Sequence, residues 1–81
     1  MAHNHTDQEY LAALAVLEDQ LGLPPTLIEL ATALHMSSKS AVRARLVGME
    51  ARGDVERRTE AWSSRNWRIT RKGRKAIKAL T

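Results

Sequence analysis

Apolar residues recur at intervals of three or four along the first part of the chain, which places them on one face of a helix. In this stretch they are Tyr10, Leu14, Leu17 and Leu21. Thr6 precedes them with Glu9 three residues later, the spacing of a capping box, and Gly22 suits the end of a helix. The pattern predicts a first helix between Thr6 and Gly22 with its apolar face in the core.

A second helix is predicted after Leu23-Pro24-Pro25, which must be extended because each proline restricts the residue before it. This tripeptide is either a connector or a short edge strand. Thr26 and Glu29 repeat the capping box. The apolar face that follows is Leu27, Leu30, Ala31 and Leu34. His35-Met36-Ser37 then forms a turn, with Met36 filling the corner between helices.

The third predicted helix begins at a cap supplied by Ser37 or Ser38 and ends at Gly53. Its core face is Val42, Leu46 and Met49. The opposite side carries Ser40, Ala44 and Val47, with Arg43 beside them. Small side chains let a helix approach another surface closely, and arginine offers a planar fork for phosphates or a guanine edge. Two helices joined by a short turn, the second with such a face, indicate a helix-turn-helix.

Alternating residues then predict two strands, Val55–Thr59 and Trp67–Thr70, joined by the tip Glu60–Asn66. This hairpin has the position of a wing. We expect Trp67 and Ile69 to face the core and Arg68 to face outward. Trp62 in the tip either folds back over the hairpin or lies exposed at a partner surface.

Thr70 is the expected cap of a final helix that runs to Leu80, which Gly73 weakens. Its apolar stripe is Ala76, Ile77 and Leu80. The elements together predict a mainly α fold with a small β-hairpin: a winged helix-turn-helix with a three-helix core, a wing and a C-terminal helix. We expect one domain over residues 7–81 after a flexible N-terminus of residues 1–6.

Charge is distributed very unevenly along the chain. Residues 1–34 contain five carboxylates and no lysine or arginine, a net charge of −5, whereas residues 35–81 contain 13 lysines and arginines against four carboxylates, a net charge of +9. Such polarity favours binding to a polyanion through one surface. A solvated basic surface and an acidic membrane surface are the other interpretations of the same charge.

Other function classes lack support in the sequence. Cysteine is absent, no apolar run reaches the length of a membrane span, and the N-terminus does not resemble a secretion signal, so we expect a soluble cytoplasmic protein. His3 and His5 lack a third ligand at useful spacing, and we expect neither a metal nor a cofactor. No nucleophile, phosphate-loop or metalloprotease motif is present, which argues against an enzyme.

The run Gly22–Ala31, followed by Ser37–Val42, resembles the N-terminal winged-helix domain of LexA-type repressors. The resemblance extends over residues 8–58 through Leu46, Met49, Glu50, Gly53 and Val55. The segment Ile69–Arg74 is similar instead to MarR-like regulators, in which Thr-x-x-Gly opens a helix after the wing. Nothing of the Ser-Lys protease domain follows within this chain, so we do not expect autocleavage.

The resemblance implies a set of positions that face the major groove of DNA. They are Ser38, Ser40, Ala41, Arg43 and Ala44. Arg43 and Ala44 stand where acidic side chains are common in the family, so its operator sequence does not carry over. We expect phosphate contacts from a second set of residues, nearly all of which are lysines or arginines. It consists of Ser37, Lys39, Arg45, Arg57, Arg58, Arg65, Arg68, Arg71, Lys72, Arg74 and Lys75.

The leading hypothesis is a sequence-specific double-stranded DNA-binding transcriptional regulator, repressor-like and homodimeric. An operator read by two copies would compensate for the few base pairs that one small domain can read. The alternative is a small phage or mobile-element winged-helix protein that docks on a host protein through Trp62 and the acidic first helix. Such a protein would bind duplex DNA only weakly at physiological salt.

Overall fold

The computed structural model describes residues 5–58 and 65–78. In these ranges the elements are α1 (Asp7–Leu21), α2 (Leu27–Ala33), α3 (Lys39–Arg52), β1 (Val55–Arg57), β2 (Trp67–Ile69) and α4 (Arg71–Lys78). Their order confirms the mainly helical winged helix-turn-helix with a two-stranded hairpin. The tip of the hairpin with Trp62, and Leu80, lie outside the described residues.

Both predicted capping boxes are present. The Thr6 hydroxyl accepts a hydrogen bond from the Glu9 amide at 3.2 Å, and the Glu9 carboxylate accepts one from the Thr6 amide at 3.2 Å. The same reciprocal pair joins Thr26 and Glu29 at 3.1 and 2.8 Å. Gly22 ends α1 in the left-handed conformation, with a φ of 73°. Local signals therefore define the ends of α1 and the start of α2.

The structure decides two of the alternatives that the sequence leaves open. Ser38 and not Ser37 caps α3, and its hydroxyl accepts a hydrogen bond from the Ala41 amide at 3.2 Å. The segment 23–25 is a connector, because it contains no strand. Gly53 ends α3 with a φ of 85°. β1 ends at Arg57 and β2 at Ile69, so Arg58 and Thr70 are not in the strands, contrary to the prediction, and Thr59 lies outside the described residues.

One apolar cluster joins all the elements. Its buried members are Tyr10, Leu11, Leu14, Leu30, Ala31, Leu34, Val42, Leu46, Met49, Val55, Trp67 and Ile69. The periodicity correctly placed most of these side chains in the core but missed Leu11. Leu21 was expected in the core and is 39% exposed, because the last turn of α1 extends beyond the cluster.

The hairpin has the expected faces. β1 and β2 pair antiparallel, with Val55 opposite Ile69 and Arg57 opposite Trp67. Trp67 and Ile69 are buried and Arg68 is exposed. A carboxylate oxygen of Glu18 on α1 accepts a hydrogen bond from the Ile69 amide at 2.6 Å. This bond occupies a polar backbone group on β2 that β1 does not pair.

The start of α4 lies directly against the turn between α3 and β1. The Thr70 hydroxyl donates to the Gly53 carbonyl oxygen at 2.7 Å and accepts from the Gly73 amide at 3.1 Å. A Cβ atom on Gly73 would overlap the Asp54 carbonyl oxygen and lie 2.7 Å from Cγ1 of Ile69. Gly73 costs helix propensity, as the sequence predicts, but its missing side chain lets α4 reach this turn.

Two helical glycines therefore predict opposite effects of alanine. Gly73→Ala should lower the free energy of unfolding by about 1–3 kcal/mol, because the added methyl group forces the backbone apart. Gly48→Ala in α3 should raise it by about 0.5–1 kcal/mol, because nothing lies within 4 Å of the new Cβ atom and alanine favours the helix.

Urea unfolding followed by circular dichroism measures both effects. Gly48→Ala serves as the control for the helix propensity of the substitution itself. A stabilised Gly73→Ala variant would show that the close approach of α4 to the α3–β1 turn does not constrain the fold.

Candidate nucleic-acid interface

Helix α3 is held from behind by the core. Val42, Leu46 and Met49 on its inner face are at most 1% exposed. The short connection from α2 is fixed by a hydrogen bond from the Met36 amide to the Ala31 carbonyl oxygen at 2.8 Å. Since the inner face is fully packed, the opposite face of α3 must point to solvent.

The turn before α3 has an unusual backbone. His35 adopts a φ of 56°, the left-handed region in which glycine is favoured. The next side chain, Met36, packs partly against the core, and its sulfur accepts a hydrogen bond from the Tyr10 hydroxyl at 3.1 Å. Met36 therefore occupies the corner between helices, as the sequence predicts, while His35 is exposed.

The outer face of α3 is small and accessible. All the positions predicted for base reading are exposed, namely Ser38, Ser40, Ala41, Arg43 and Ala44. Val47 lies on the same side and is 42% exposed. A face with so few bulky side chains allows the helix axis to come close to a partner surface.

A groove of about 290 Å³ separates this face from the wing. Its lining comes from the start of α2, the start of α3 and the base of the hairpin: Thr26, Leu27, Ile28, Lys39, Arg43, Asn66 and Trp67. Lys39 and Arg43 lie one helical turn apart, and neither makes an ion pair with any residue in the described ranges. Positive charge at this groove is therefore available to an anion.

The wing is attached to α3 by a stacked arginine. The Arg57 guanidinium lies over the Trp67 ring, 4.5 Å from its centroid, and approaches the Glu50 carboxylate of α3 at 3.1 Å. The cation–π contact and the ion pair hold the side chain in one orientation. Arg57 was predicted to contact phosphate, and here its charge already has a carboxylate partner.

A second arginine attaches the wing to α2. Arg65 donates to the Glu29 carboxylate at 2.7 Å and to the Pro24 carbonyl oxygen at 3.1 Å. The hydrogen bond from Arg65, with that from the Thr26 amide, holds the pKa of Glu29 below its ordinary value. Glu29 thus serves both the capping box of α2 and the anchoring of the hairpin.

The remaining predicted phosphate contacts lie in other parts of the surface. Arg45 and Lys72 line one depression with Arg52, Asp7 and Asp54. A separate depression is lined by Arg58, Arg68 and Arg74 with Glu18 and Asp19. Ser37, Arg71 and Lys75 are exposed. The structure therefore groups Lys39 and Arg43 at the groove beside α3 and places Arg45, Lys72, Arg58, Arg68 and Arg74 at the two other depressions.

Arg45 connects α3 to the beginning of α1. Its guanidinium donates to Asp7 at 2.9 Å and to the His5 carbonyl oxygen at 2.7 Å, and it lies 5.3 Å from the centroid of the Tyr10 ring. Arg52 pairs with the same Asp7 carboxylate. Partial burial would raise the pKa of Asp7, but the hydrogen bonds and charges of Arg52 and Arg45 outweigh it and lower the pKa.

His5 lies in the N-terminal segment that the sequence predicts to be flexible. No sequence motif indicates the contacts that it makes in the structure. Its Nδ1 lies 2.8 Å from the Glu9 carboxylate and its Nε2 lies 2.7 Å from the Leu34 carbonyl oxygen. Both neighbours are acceptors, so these contacts favour the protonated imidazole, in which both ring nitrogens donate. The hydrogen bond to Glu9 raises the pKa of His5, outweighing the opposing effect of burial, and the Leu34 carbonyl raises it further.

Two negative findings apply to the described part of the chain. No group of three or more His, Cys, Asp or Glu side chains in residues 5–58 and 65–78 is placed to hold a metal ion. In the same ranges no helix has the length and hydropathy needed to cross a bilayer.

The fold is that of a winged helix-turn-helix protein, a class to which many DNA-binding proteins belong. The family described as LexA DNA binding domain matches residues 6–65, and the chain belongs to that family. Comparison with curated proteins finds no match. The family match ends before Ile69–Arg74, so the similarity of that segment to MarR-like regulators stays a prediction.

The Asp7 pairs predict a pH-dependent contribution to stability. Because the pKa of Asp7 is lowered on folding, its stabilising effect is full above the unfolded value near about 4 and disappears as pH falls through the folded pKa. Asp7→Asn should therefore lower the free energy of unfolding by about 1 kcal/mol at pH 7 and by almost nothing at about pH 2.

Denaturant unfolding at both pH values measures the difference between wild type and Asp7→Asn. Asp19→Asn is the matched control, since Asp19 pairs with Arg74 at 3.2 Å but its side chain is 70% exposed. A difference for Asp7→Asn that is the same at both pH values would contradict the ionic role of this carboxylate.

Proposed function

We propose that the protein is a sequence-specific double-stranded DNA-binding transcriptional regulator that inserts α3 into the major groove. The observation that carries this proposal is the solvent-facing side of α3, with its small residues and with Lys39 and Arg43, which pair with no carboxylate in residues 5–58 and 65–78. Membership of the LexA DNA binding domain family supports the same target. A helix of this kind fits the width of the major groove.

Each part of the interface has a distinct role in this proposal. Ser40, Arg43 and Ala44 contact base edges, with Arg43 able to form a bidentate pair with guanine. Ser38 and Ala41 complete the base-facing set on the first turn of α3. Lys39 contacts phosphate and positions the helix without reading sequence.

The wing follows the DNA backbone next to α3 in this arrangement. Arg58 and Arg68 extend from its exposed side, with Arg68 near Glu56 on the neighbouring strand at 3.7 Å, while Arg57 and Arg65 hold the hairpin against α3 and α2. Either of the latter two could contact phosphate only by sharing or exchanging its carboxylate partner. We therefore assign them first to the orientation of the wing.

The regulator acts by occupying an operator and excluding other proteins, as a repressor does. We propose a bacterial or phage source, a cytoplasmic location and a homodimer on DNA, in which two copies read half-sites about one helical turn apart. Sedimentation of the protein with and without a duplex that contains two half-sites tests the homodimer.

Arg43 variants test the base-reading role. Selection from randomised duplexes gives a preferred sequence, and Arg43→Ala should weaken binding to it by about 1–3 kcal/mol while changing binding to random duplexes much less. Arg43→Lys keeps the charge but lacks the fork, so it should recover part of the affinity but not the sequence preference. Titrations monitored by fluorescence anisotropy measure both variants.

Lys39→Ala is the companion variant for phosphate contact. It should weaken binding to every duplex alike and reduce the slope of log K against log salt by about 0.9.

Equal losses for Arg43→Ala on selected and random duplexes would contradict base reading. Failure of the wild type to bind any duplex at physiological salt, with capture of one defined protein, would instead support docking on a host protein.

A further inference from the structure

Our inference concerns the bases that α3 can read, and it rests on the proposed function. Ser38 caps α3 with its hydroxyl and Lys39 is assigned to phosphate, so we consider the outer face from residue 40 to residue 48. Its exposed positions are Ser40, Ala41, Arg43, Ala44, Val47 and Gly48, with Arg45 at the edge. Arg45 is held by Asp7 and the His5 carbonyl oxygen. The outer face therefore offers one directional donor group, one hydroxyl and otherwise only carbon.

The side chains that this face lacks restrict the bases that it can recognise. Reading of adenine typically uses the paired donor and acceptor of Asn or Gln, and reading of cytosine uses a carboxylate acceptor. No exposed position from 40 to 48 has a carboxamide or a carboxylate. The guanidinium of Arg43 matches the two acceptors of guanine, and exposed aliphatic groups match the methyl group of thymine.

Val47 is the largest aliphatic side chain on the face. It is 42% exposed and lies four residues after Arg43, on a neighbouring position one helical turn further along α3. One turn of helix advances about 5.4 Å, and successive base pairs are about 3.4 Å apart. The base reached by Val47 therefore lies within about two base pairs of the base reached by Arg43.

We propose that each half-site is recognised as a guanine, read by Arg43, with a thymine within two base pairs whose methyl group packs against Val47. Recognition of the thymine then depends on apolar contact between Val47 and a single methyl group. Ala44 and Ala41 contribute by allowing close approach and not by hydrogen bonding.

Modified bases test the two contacts separately. In the duplex selected by the wild type, each guanine is replaced in turn by 7-deazaguanine, which lacks the N7 acceptor, and each thymine by deoxyuridine, which lacks the methyl group. We expect one guanine replacement to weaken binding by about fivefold or more. One nearby thymine replacement should weaken it by about fourfold, the effect of one buried methyl group.

Matched variants then assign each contact to a side chain. Val47→Ala should bind thymine and deoxyuridine duplexes equally, and Arg43→Ala should no longer distinguish guanine from 7-deazaguanine. Val16→Ala is the control, because Val16 is 53% exposed but lies on α1, and it should keep the full sensitivity to both replacements. Circular dichroism checks that all three variants are folded, which their exposed positions lead us to expect.

The outcomes separate this inference from the proposed function. A wild type that selects a defined sequence but is insensitive to every deoxyuridine replacement keeps the proposed function and overturns the thymine contact. Sensitivity that persists unchanged in Val47→Ala also overturns it. A wild type that selects no sequence and binds no duplex overturns the proposed function itself, and the inference with it.

Discussion

The packing of α3 against the core is the constraint on which the rest of the molecule depends. Val42, Leu46 and Met49 make one side of this helix inaccessible to water, and so they determine which side faces outward. Burial of three such side chains stabilises this orientation by several kcal/mol, since each contributes about 1.5–3 kcal/mol. The two capping boxes and the left-handed glycines then determine where α1 begins and ends, where α2 begins and where α3 ends. The face that α3 offers to a partner is therefore a consequence of packing on its opposite side.

Charge pairing changes how the basic composition should be understood. The second part of the chain carries a large positive charge, but several of its arginines are held by carboxylates of α1, α2 and α3. Arg45 and Arg65 orient segments of the protein with respect to one another, and each is partly exposed. Surface ion pairs of this kind contribute little to stability. Their larger effect is to fix segments of the chain, whereas Lys39 and Arg43 beside α3 have no carboxylate partner among the described residues.

Local sequence signals predicted the elements well because their physical causes lie within a few residues. Thr6 with Glu9 and Thr26 with Glu29 are three residues apart, and Gly22 and Gly53 act at single positions. The exposed face of α3 followed from periodicity in the same way. The ion pairs could not be predicted, because Arg45 and Asp7 are 38 residues apart and Arg65 and Glu29 are 36 apart. The structural need for glycine at position 73 could not be predicted for the same reason. The Asp54 carbonyl oxygen, which leaves no room for a side chain there, comes near only when the chain folds.

In the proposed complex, the small side chains on the outer face of α3 limit how much sequence one copy of the protein can read from DNA. One guanidinium and a few methyl-sized surfaces discriminate over very few base pairs, and a genome offers about 10⁶–10⁹ competing positions. Near-cognate positions would then be numerous, and occupancy of any one of them would depend on protein abundance and on cooperative binding by neighbouring copies. The fraction of time that such a regulator occupies its operator would depend on its concentration in the cell as much as on the operator sequence.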